Sequence, residues 1–156
     1  MDRIKEILIF LRGMEGYVSG DFIASKIGIS RTAIWKYINQ LERLGYNVAK
    51  LKGKGYRLAE SPDKLYPWEI DKHLVTVSLG KKIVYKELVD STNSLGFKMA
   101  LAGEPEGTCI IAESQKIGKG RLGRKWFSPT GKNLYISVIL KPPIHPSNVY
   151  PVTFIS

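Results

Sequence analysis

Residues 19–58, SGDFIASKIGISRTAIWKYINQLERLGYNVAKLKGKGYRL, decide the fold of the first part of the chain. Ser19 and Ser30 are good helix N-caps, and each is followed by apolar residues at helical spacing. Gly28 lies between the two helical patterns and allows the helices to meet at a steep angle. The stretch therefore predicts a helix-turn-helix with its turn at residues 27–30.

The flanking sequence extends this motif on both sides. Residues 3–12 carry apolar side chains at helical spacing and predict an amphipathic helix. After Gly45 the apolar period changes, and residues 46–51 and 56–58 predict two strands joined at residues 53–55. Helices followed by a basic hairpin in this order predict a winged helix-turn-helix.

The third helix and the hairpin have the residue types of a DNA-binding surface. Polar side chains at the start of a recognition helix can contact phosphates and base edges in a major groove, and hairpin lysines can contact phosphates. The alternative is a helical domain used for dimerisation or protein contact, and Trp35 also suits a core position. The candidate DNA-binding residues are Ser30, Arg31, Thr32, Trp35, Lys36, Lys52 and Lys54.

A different pattern follows the polar, proline-containing stretch at residues 59–63. Pro67 predicts the start of a short helix, and residues 95–101 predict another. Strands are predicted at residues 83–88, 107–112 and 133–140, which indicates an α/β or α+β domain. The sequence thus predicts a domain at residues 1–60, a linker at 61–66 and a second domain at 67–156.

Composition limits the class of protein. The 156 residues include 24 basic and 14 acidic side chains, and the net charge of +10 favours a polyanionic partner. No apolar run approaches the roughly 18 residues of a membrane span. One cysteine and two histidines are too few for a disulfide framework or a Cys- or His-rich metal centre. We therefore expect a cytoplasmic protein with no metal-binding residues and no membrane partner.

Residues 114–132 form the segment most suited to ligand chemistry, and we expect them to be a long loop between two strands. Its glycines free backbone N–H groups to face an anion, its arginines can bind a phosphate, and Trp126 offers a flat face for an aromatic ring. Neither a P-loop nor a Rossmann fingerprint is present. Taken alone, the pattern is equally typical of nucleic-acid binding or disorder.

A second polar cluster is formed by Ser91, Thr92 and Asn93. Such residues commonly cap a helix, and they can also direct hydroxyl and amide groups at a small polar ligand. Gln115 would add a donor and an acceptor.

Three stretches of the second domain resemble the biotin protein ligase family. They are Asp90-Ser91-Thr92-Asn93, Ala112-Glu113-Ser114-Gln115 and GKGRLGRKWFSPTGKNLYIS at residues 118–137. Residues 30–48 and 51–58 resemble the winged helix of the bifunctional type, which is both a biotin–[acetyl-CoA-carboxylase] ligase and a biotin operon repressor. The resemblance implies an α+β chain, with a winged helix-turn-helix followed by an incomplete α/β catalytic domain of class II synthetase-like fold.

The family forms biotinyl-5′-AMP from biotin and ATP and transfers biotin to a carrier-domain lysine. The resemblance therefore implies biotin and ATP as substrates, Mg²⁺ with the ATP, and the biotin carboxyl carrier domain of acetyl-CoA carboxylase as a partner. It also implies operator DNA as a partner and a homodimer when the adenylate is bound. The implied biotin-binding residues are Ser91, Thr92, Asn93, Gln115, Lys119, Gly120 and Arg121, of which Lys119 and Arg121 are also catalytic; the implied adenylate-binding residues are Gly118, Arg124 and Trp126.

Two departures from the family pattern affect what we expect of this chain. Lys119 stands where the family usually has arginine, and lysine lacks the bidentate geometry that would favour adenylate retention. The family's later Lys-Trp-Pro-Asn-Asp segment and its small C-terminal domain are not found in these 156 residues. We therefore expect little or no ligase activity from this chain alone. The alternative function is a DNA-binding repressor or ligand sensor without ligase activity.

Overall fold

The computed structural model describes residues 3–120 and 124–145, except for the side chain of Lys119. The chain divides into two compact units, Met1–Asp63 and Lys64–Ser156, which we call unit 1 and unit 2. The assignment of residues 1–60 and 67–156 to two functional domains, joined by a linker at 61–66, stays a prediction. No helix of the described residues is long and apolar enough to cross a membrane.

Unit 1 has the element order of a winged helix-turn-helix, as predicted. Its helices are α1 (Arg3–Arg12), α2 (Gly20–Ile27) and α3 (Arg31–Arg43), and its strands are β1 (Asn47–Leu51) and β2 (Gly55–Glu60). Ser19 accepts a hydrogen bond from the Phe22 amide at 3.2 Å, and Ser30 accepts one from the Ala33 amide at 3.1 Å. Both serines therefore act as the predicted N-caps.

The core of unit 1 comes from one face of each helix. The helical spacing brings the apolar side chains of α1, α2 and α3 to a common centre, while their charged residues stay outside. The fully buried side chains are Ile7, Leu8, Ile23, Ile34, Ile38 and Leu41.

The hairpin of unit 1 is attached to the segment before α2 by a short bridge. β1 and β2 are antiparallel, and the backbones of Val18 and Tyr56 exchange two hydrogen bonds of 2.8 Å. Gly55 has a φ of +105°, and a Cβ at this position would lie 2.0 Å from the carbonyl oxygen of Val18. Only glycine fits here, because both the backbone conformation and the contact exclude a side chain.

Unit 2 is a four-stranded mixed sheet with one helix crossing between parallel strands. Its elements are α4 (Pro67–Asp71), β3 (Ile83–Val89), α5 (Thr92–Leu101), β4 (Cys109–Lys119), β5 (Lys125–Ser128) and β6 (Tyr135–Val138). β4 is central: it pairs with β3 in parallel and with β5 and β6 in antiparallel register. The first part of β4 pairs with β6 and its last part pairs with β5, so both partners lie along one edge of β4.

A buried carboxylate ties the first residues of unit 2 to the sheet. Glu113 on β4 is 5% exposed, and its Oε1 accepts hydrogen bonds from the Leu65 amide at 3.1 Å and from the Tyr85 hydroxyl at 3.0 Å. Lys64 lies 3.5 Å from the other carboxylate oxygen. Burial, followed by the hydrogen bond to Glu113, raises the pKa of the Tyr85 hydroxyl above its ordinary value.

The prediction of a long loop at residues 114–132 was wrong. β4 continues through this segment to Lys119, and β5 begins at Lys125, so most of the segment is an antiparallel hairpin. The glycines and charged residues of this segment do not prevent backbone pairing, either in the central strand β4 or in β5. Gln115, Gly118 and Trp126 therefore lie on a sheet, whereas Arg121 lies outside the described residues.

Candidate functional site

The candidate DNA-binding surface lies on the outer face of α3. Its side chains at Arg31, Thr32, Trp35 and Lys36 are exposed, whereas the buried face of the helix carries the apolar core. Trp35 is 54% exposed, which excludes the core position that the sequence left open. The Ser30 hydroxyl accepts one hydrogen bond as the N-cap, so its donor and one acceptor lone pair stay available.

An open groove of about 410 Å³ lies beside this helix, within unit 1. It is bounded by the beginning of α2, by the beginning of α3 and by the hairpin, and Arg31, Trp35 and Lys52 all line it. Lys52 and Lys54 lie at the exposed hairpin turn and form no ion pair with a described residue. The groove thus places cations of the helix and of the hairpin around one concave surface.

Two cations in this region, Lys50 and Arg31, are paired with carboxylates. The Lys50 ammonium lies 2.7 Å from a Glu42 carboxylate oxygen and 3.3 Å from the Asn39 side-chain oxygen. Arg31 lies 3.4 Å from Asp21, and both side chains are mostly exposed. Because an exposed pair is weak, Arg31 can exchange Asp21 for a phosphate at small cost.

In unit 2 the predicted site residues Thr92 and Gln115 are directly hydrogen-bonded. The Oε1 of Gln115 accepts from the Thr92 amide at 2.8 Å and from its hydroxyl at 3.1 Å. The Nε2 of Gln115 donates to Ser128 at 3.1 Å, and the Ser137 hydroxyl donates to Thr92 at 3.0 Å. We call Thr92, Gln115, Ser128 and Ser137 the amide–hydroxyl network.

This network joins four parts of the chain. Thr92 begins α5, Gln115 lies on β4, Ser128 ends β5 and Ser137 lies on β6. Thr92 and Ser128 are each 4% exposed, so the network is largely shielded from water. The Gln115 amide keeps one N–H without a partner among the described residues, and this N–H is held in a defined orientation by the other three bonds.

Ser91 and Asn93 flank the network but face different depressions. Ser91 is buried and caps α5, and it lines an open cleft of about 430 Å³ that also contains Lys86, Lys98 and Lys116. Asn93 is exposed and lines a separate depression between α5 and β6. The three neighbouring residues of the predicted polar cluster therefore do not converge on a single point in this structure.

The hairpin between β4 and β5 depends on two glycines. A Cβ on Gly118 would lie 2.6 Å from the Trp126 carbonyl oxygen and 2.7 Å from the Ser128 hydroxyl. The Gly120 amide donates to the Arg124 carbonyl at 2.8 Å, and its Cα face lies near the Trp126 ring. Arg124 and Trp126 are exposed, with Trp126 at 61%. Arg121 and the side chain of Lys119 lie outside the described part of the chain.

Sequence reasoning missed Ser128 and Ser137, which complete the network. Ser128 belongs to the Trp-Phe-Ser-Pro run, and Ser137 occupies an ordinary strand position opposite Ile110. Neither residue has a local signal, because its role depends on strand pairing with β4. Both residues could have been identified only if the register of β4 against β5 and β6 had been known.

The fold and site together define a helix-turn-helix protein joined to a ligase-type mixed sheet, and comparison with known proteins agrees. Residues 3–57 match the model described as "HTH domain", and residues 85–155 match the "Biotin/lipoate A/B protein ligase family". The predicted resemblance and fold class are confirmed.

Individual relatives share sequence across both units. "Bifunctional ligase/repressor BirA" of Bacillus spizizenii is 38% identical over 138 residues, which are 88% of this chain and 42% of that protein. The protein of the same name from Escherichia coli is 39% identical over 84% of this chain and 39% of its own length. The chain thus spans about two fifths of the length of these relatives. A solved "Biotin protein ligase from Aquifex aeolicus in complex with biotin and ATP" is 39% identical over 40% of this chain and 25% of that chain, with a TM-score of 0.34.

Proposed function

We propose that unit 2 binds biotin and its adenylate and that unit 1 binds operator DNA, as parts of a bifunctional biotin ligase and biotin-responsive repressor. The observation that carries this proposal is the amide–hydroxyl network, which lies at the base of the glycine-rich basic hairpin. The likeness of both units to bifunctional ligase/repressors supports the same conclusion.

The network has the chemistry that a ureido ring requires. A ureido group presents one carbonyl acceptor and two N–H donors, so it needs a donor and acceptors at fixed positions. The free N–H of Gln115 on β4 and the hydroxyl of buried Ser91 at the N-cap of α5 supply such groups. Because these groups are oriented before binding, little conformational entropy is lost when the ligand arrives.

The hairpin supplies the groups for the adenylate. The side chain of Arg124 would face the phosphate, and Gly118 and Gly120 would let the ligand approach the backbone closely because they carry no side chain. Trp126 would pack beside the adenine ring. Arg121 and Lys119 would add the charge that stabilises the reacting α-phosphate. ATP would enter with Mg²⁺, and biotin would leave on a carrier-domain lysine of acetyl-CoA carboxylase.

In unit 1 the groove and the outer face of α3 would hold the DNA. Lys52, Lys54 and Arg31 would contact phosphates, while Thr32, Trp35 and Lys36 would approach base edges. Adenylate binding would favour a homodimer, which matches the two half-sites of an operator. These partners place the proposed activity in the cytoplasm.

A repressor or ligand sensor without ligase activity is the second candidate. The observation that favours it is the composition of the network, which consists of three hydroxyl side chains and one amide side chain. Such groups bind a ligand through hydrogen bonds but do not act as a general acid or base at neutral pH. The two candidates predict the same biotin binding and differ only in adenylate formation.

Calorimetric titration of the full chain with biotin tests the binding site. Gln115→Leu removes the free N–H and all of the three hydrogen bonds of the amide, and we expect biotin affinity to fall by roughly 5- to 150-fold, equivalent to about 1–3 kcal/mol. Ser114→Ala is the matched control, because its hydroxyl donates to the Glu87 carbonyl and not to the network. Equal affinity in both variants would contradict the proposed site.

Incubation with biotin and MgATP, followed by mass spectrometry of the released nucleotide, separates the two candidates. Biotinyl-5′-AMP at amounts stoichiometric with the protein would support the ligase. Biotin binding without any adenylate would reject adenylate formation by this chain alone and leave the sensor as its supported function. Absence of biotin binding by the unmodified chain would reject both readings of unit 2.

A further inference from the structure

The indole of Trp35 is the feature of unit 1 that phosphate binding leaves unexplained. Its side chain lies on the outer face of α3 and lines the groove on one side and a shallow depression with Lys36, Asn39 and Arg43 on the other. The ring is 54% exposed and has no stacking or cation–π partner among the described residues. It therefore forms a ridge between the two depressions.

A large, exposed apolar ring is unusual on the outer face of α3, which is otherwise polar. The side chains that line the two depressions beside it are mostly polar or charged, with Leu51 and Tyr56 as the exceptions, and the buried apolar residues of α3 point to the opposite face. A large exposed apolar ring beside several cations indicates a contact site for a partner that is both anionic and locally apolar. DNA meets both conditions at the floor of the major groove.

The cations fix how the helix would meet the duplex. Arg31 at the start of α3 and Lys52 on the hairpin stand on the same groove as Trp35, so phosphate contacts on the two sides would hold the indole against the bases. In the major groove the apolar group among the base edges is the C5-methyl of thymine. The indole N–H adds one donor for a neighbouring N7 or O4 acceptor.

We propose that Trp35 is a specificity-determining residue that reads thymine methyl groups in the major groove. This inference rests on the proposed DNA binding of unit 1 and assigns to one side chain the base feature that it recognises. Arg31, Lys36, Lys52 and Lys54 then supply affinity, and Trp35 supplies a preference for thymine at one or two positions of each half-site.

The test uses the full chain, with biotin and MgATP present, and duplexes selected by it from a random DNA library. Each thymine of the selected duplex is replaced singly by deoxyuridine, which removes the methyl group and keeps every hydrogen-bonding group. We expect binding to weaken by about fourfold at one or two positions, which corresponds to the burial of one methyl group at about 0.8 kcal/mol. Trp35→Ala should lower this ratio to about one at those positions.

Two control variants separate base readout from other effects. Phe127→Ala removes an exposed aromatic side chain of unit 2 that has no assigned role, and it should keep the full sensitivity to deoxyuridine. Lys52→Gln should weaken binding to all duplexes and reduce the salt slope by about one, again with unchanged deoxyuridine sensitivity. Because Trp35 is exposed, its replacement by alanine should leave the circular dichroism spectrum and the folding of unit 1 unchanged.

The outcomes distinguish the two levels of the argument. If no duplex is enriched, the DNA-binding proposal fails and this inference fails with it. If a duplex is enriched but deoxyuridine has no effect, or if the effect persists in Trp35→Ala, DNA binding stands and the role of Trp35 is overturned. A Trp35→Ala variant that changes oligomeric state with unchanged base preference would also overturn it.

Discussion

Replacement of Gly55 by alanine is a sharp test of how the hairpin is attached to unit 1. A Cβ on Gly55 would lie 2.0 Å from the Val18 carbonyl oxygen and 2.7 Å from the Ser19 Cα, and all these obstacles are backbone atoms. A backbone cannot rotate aside as a flexible side chain can, so β2 must move away from residue 18. That movement breaks the two 2.8 Å hydrogen bonds between Val18 and Tyr56.

The expected loss of stability follows from these contacts. A residue with a side chain at a φ of +105° costs about 1–2 kcal/mol, and each lost backbone hydrogen bond costs about 1 kcal/mol. The free energy of unfolding of unit 1 should therefore fall by about 3–4 kcal/mol in Gly55→Ala. Gly53→Ala is the matched control: its φ is +79°, but nothing lies within 4 Å of its Cβ position, so it should lose only about 1–2 kcal/mol.

Amide hydrogen exchange of the full chain measures this difference within unit 1. The amides of Ile34 and Ile38 belong to fully buried residues and report its global opening. Protection should fall by more than about a hundredfold in Gly55→Ala and by about 5- to 30-fold in Gly53→Ala. Equal loss of protection in both variants would refute the argument, because it would mean that the approach of Val18 contributes nothing.

Two further predictions concern titratable groups of unit 2. The pKa of Tyr85 is raised in the folded chain, so its neutral hydroxyl contributes fully to stability below pH 10. This contribution is lost as the pH rises through the pKa of the folded state. Urea titrations above pH 10 should therefore show a steeper loss of the free energy of unfolding in the natural chain than in Tyr85→Phe. An equally steep loss in both proteins would argue against the hydrogen bond to Glu113. Burial raises the pKa of the Cys109 thiol, so Cys109 should react with a chromogenic disulfide at pH 8 much more slowly than a free thiol. In denaturant it should reach the rate of a free thiol. Fast reaction of the folded chain would contradict the burial of Cys109.

Most of unit 1 could be predicted from sequence because its determinants are local. Ser19 and Ser30 cap helices through amides three residues away, and Gly28 ends α2 with a φ of +73°. These interactions lie within one helical turn, so the residues that decide them are adjacent in the sequence. The apolar spacing of α3 likewise predicted its buried face without reference to any other element.

The fold of unit 2 was harder to predict from the sequence, because the residues that determine it are distant from one another along the chain. Residues 114–132 have the composition of a loop, yet the segment pairs as β4 and β5, since strand formation depends on a partner more than on local preference. Trp35 shows the same limit in unit 1: its residue type suits a core or a surface, and only the packing of α3 against α1 and α2 left it exposed.

The amino-acid sequence alone was sufficient for the helices of unit 1 and their N-caps, the winged helix-turn-helix order, the basic character of both units and the likeness to biotin protein ligases. Only the tertiary structure decided which polar groups meet. Gln115 reaches Thr92 and Ser128, and Thr92 reaches Ser137, because β4 is paired with β5 and β6 along one edge while α5 begins beside it. Hydrogen bonds between such distant residues depend on strand register, and register is set by the burial of whole faces of the sheet.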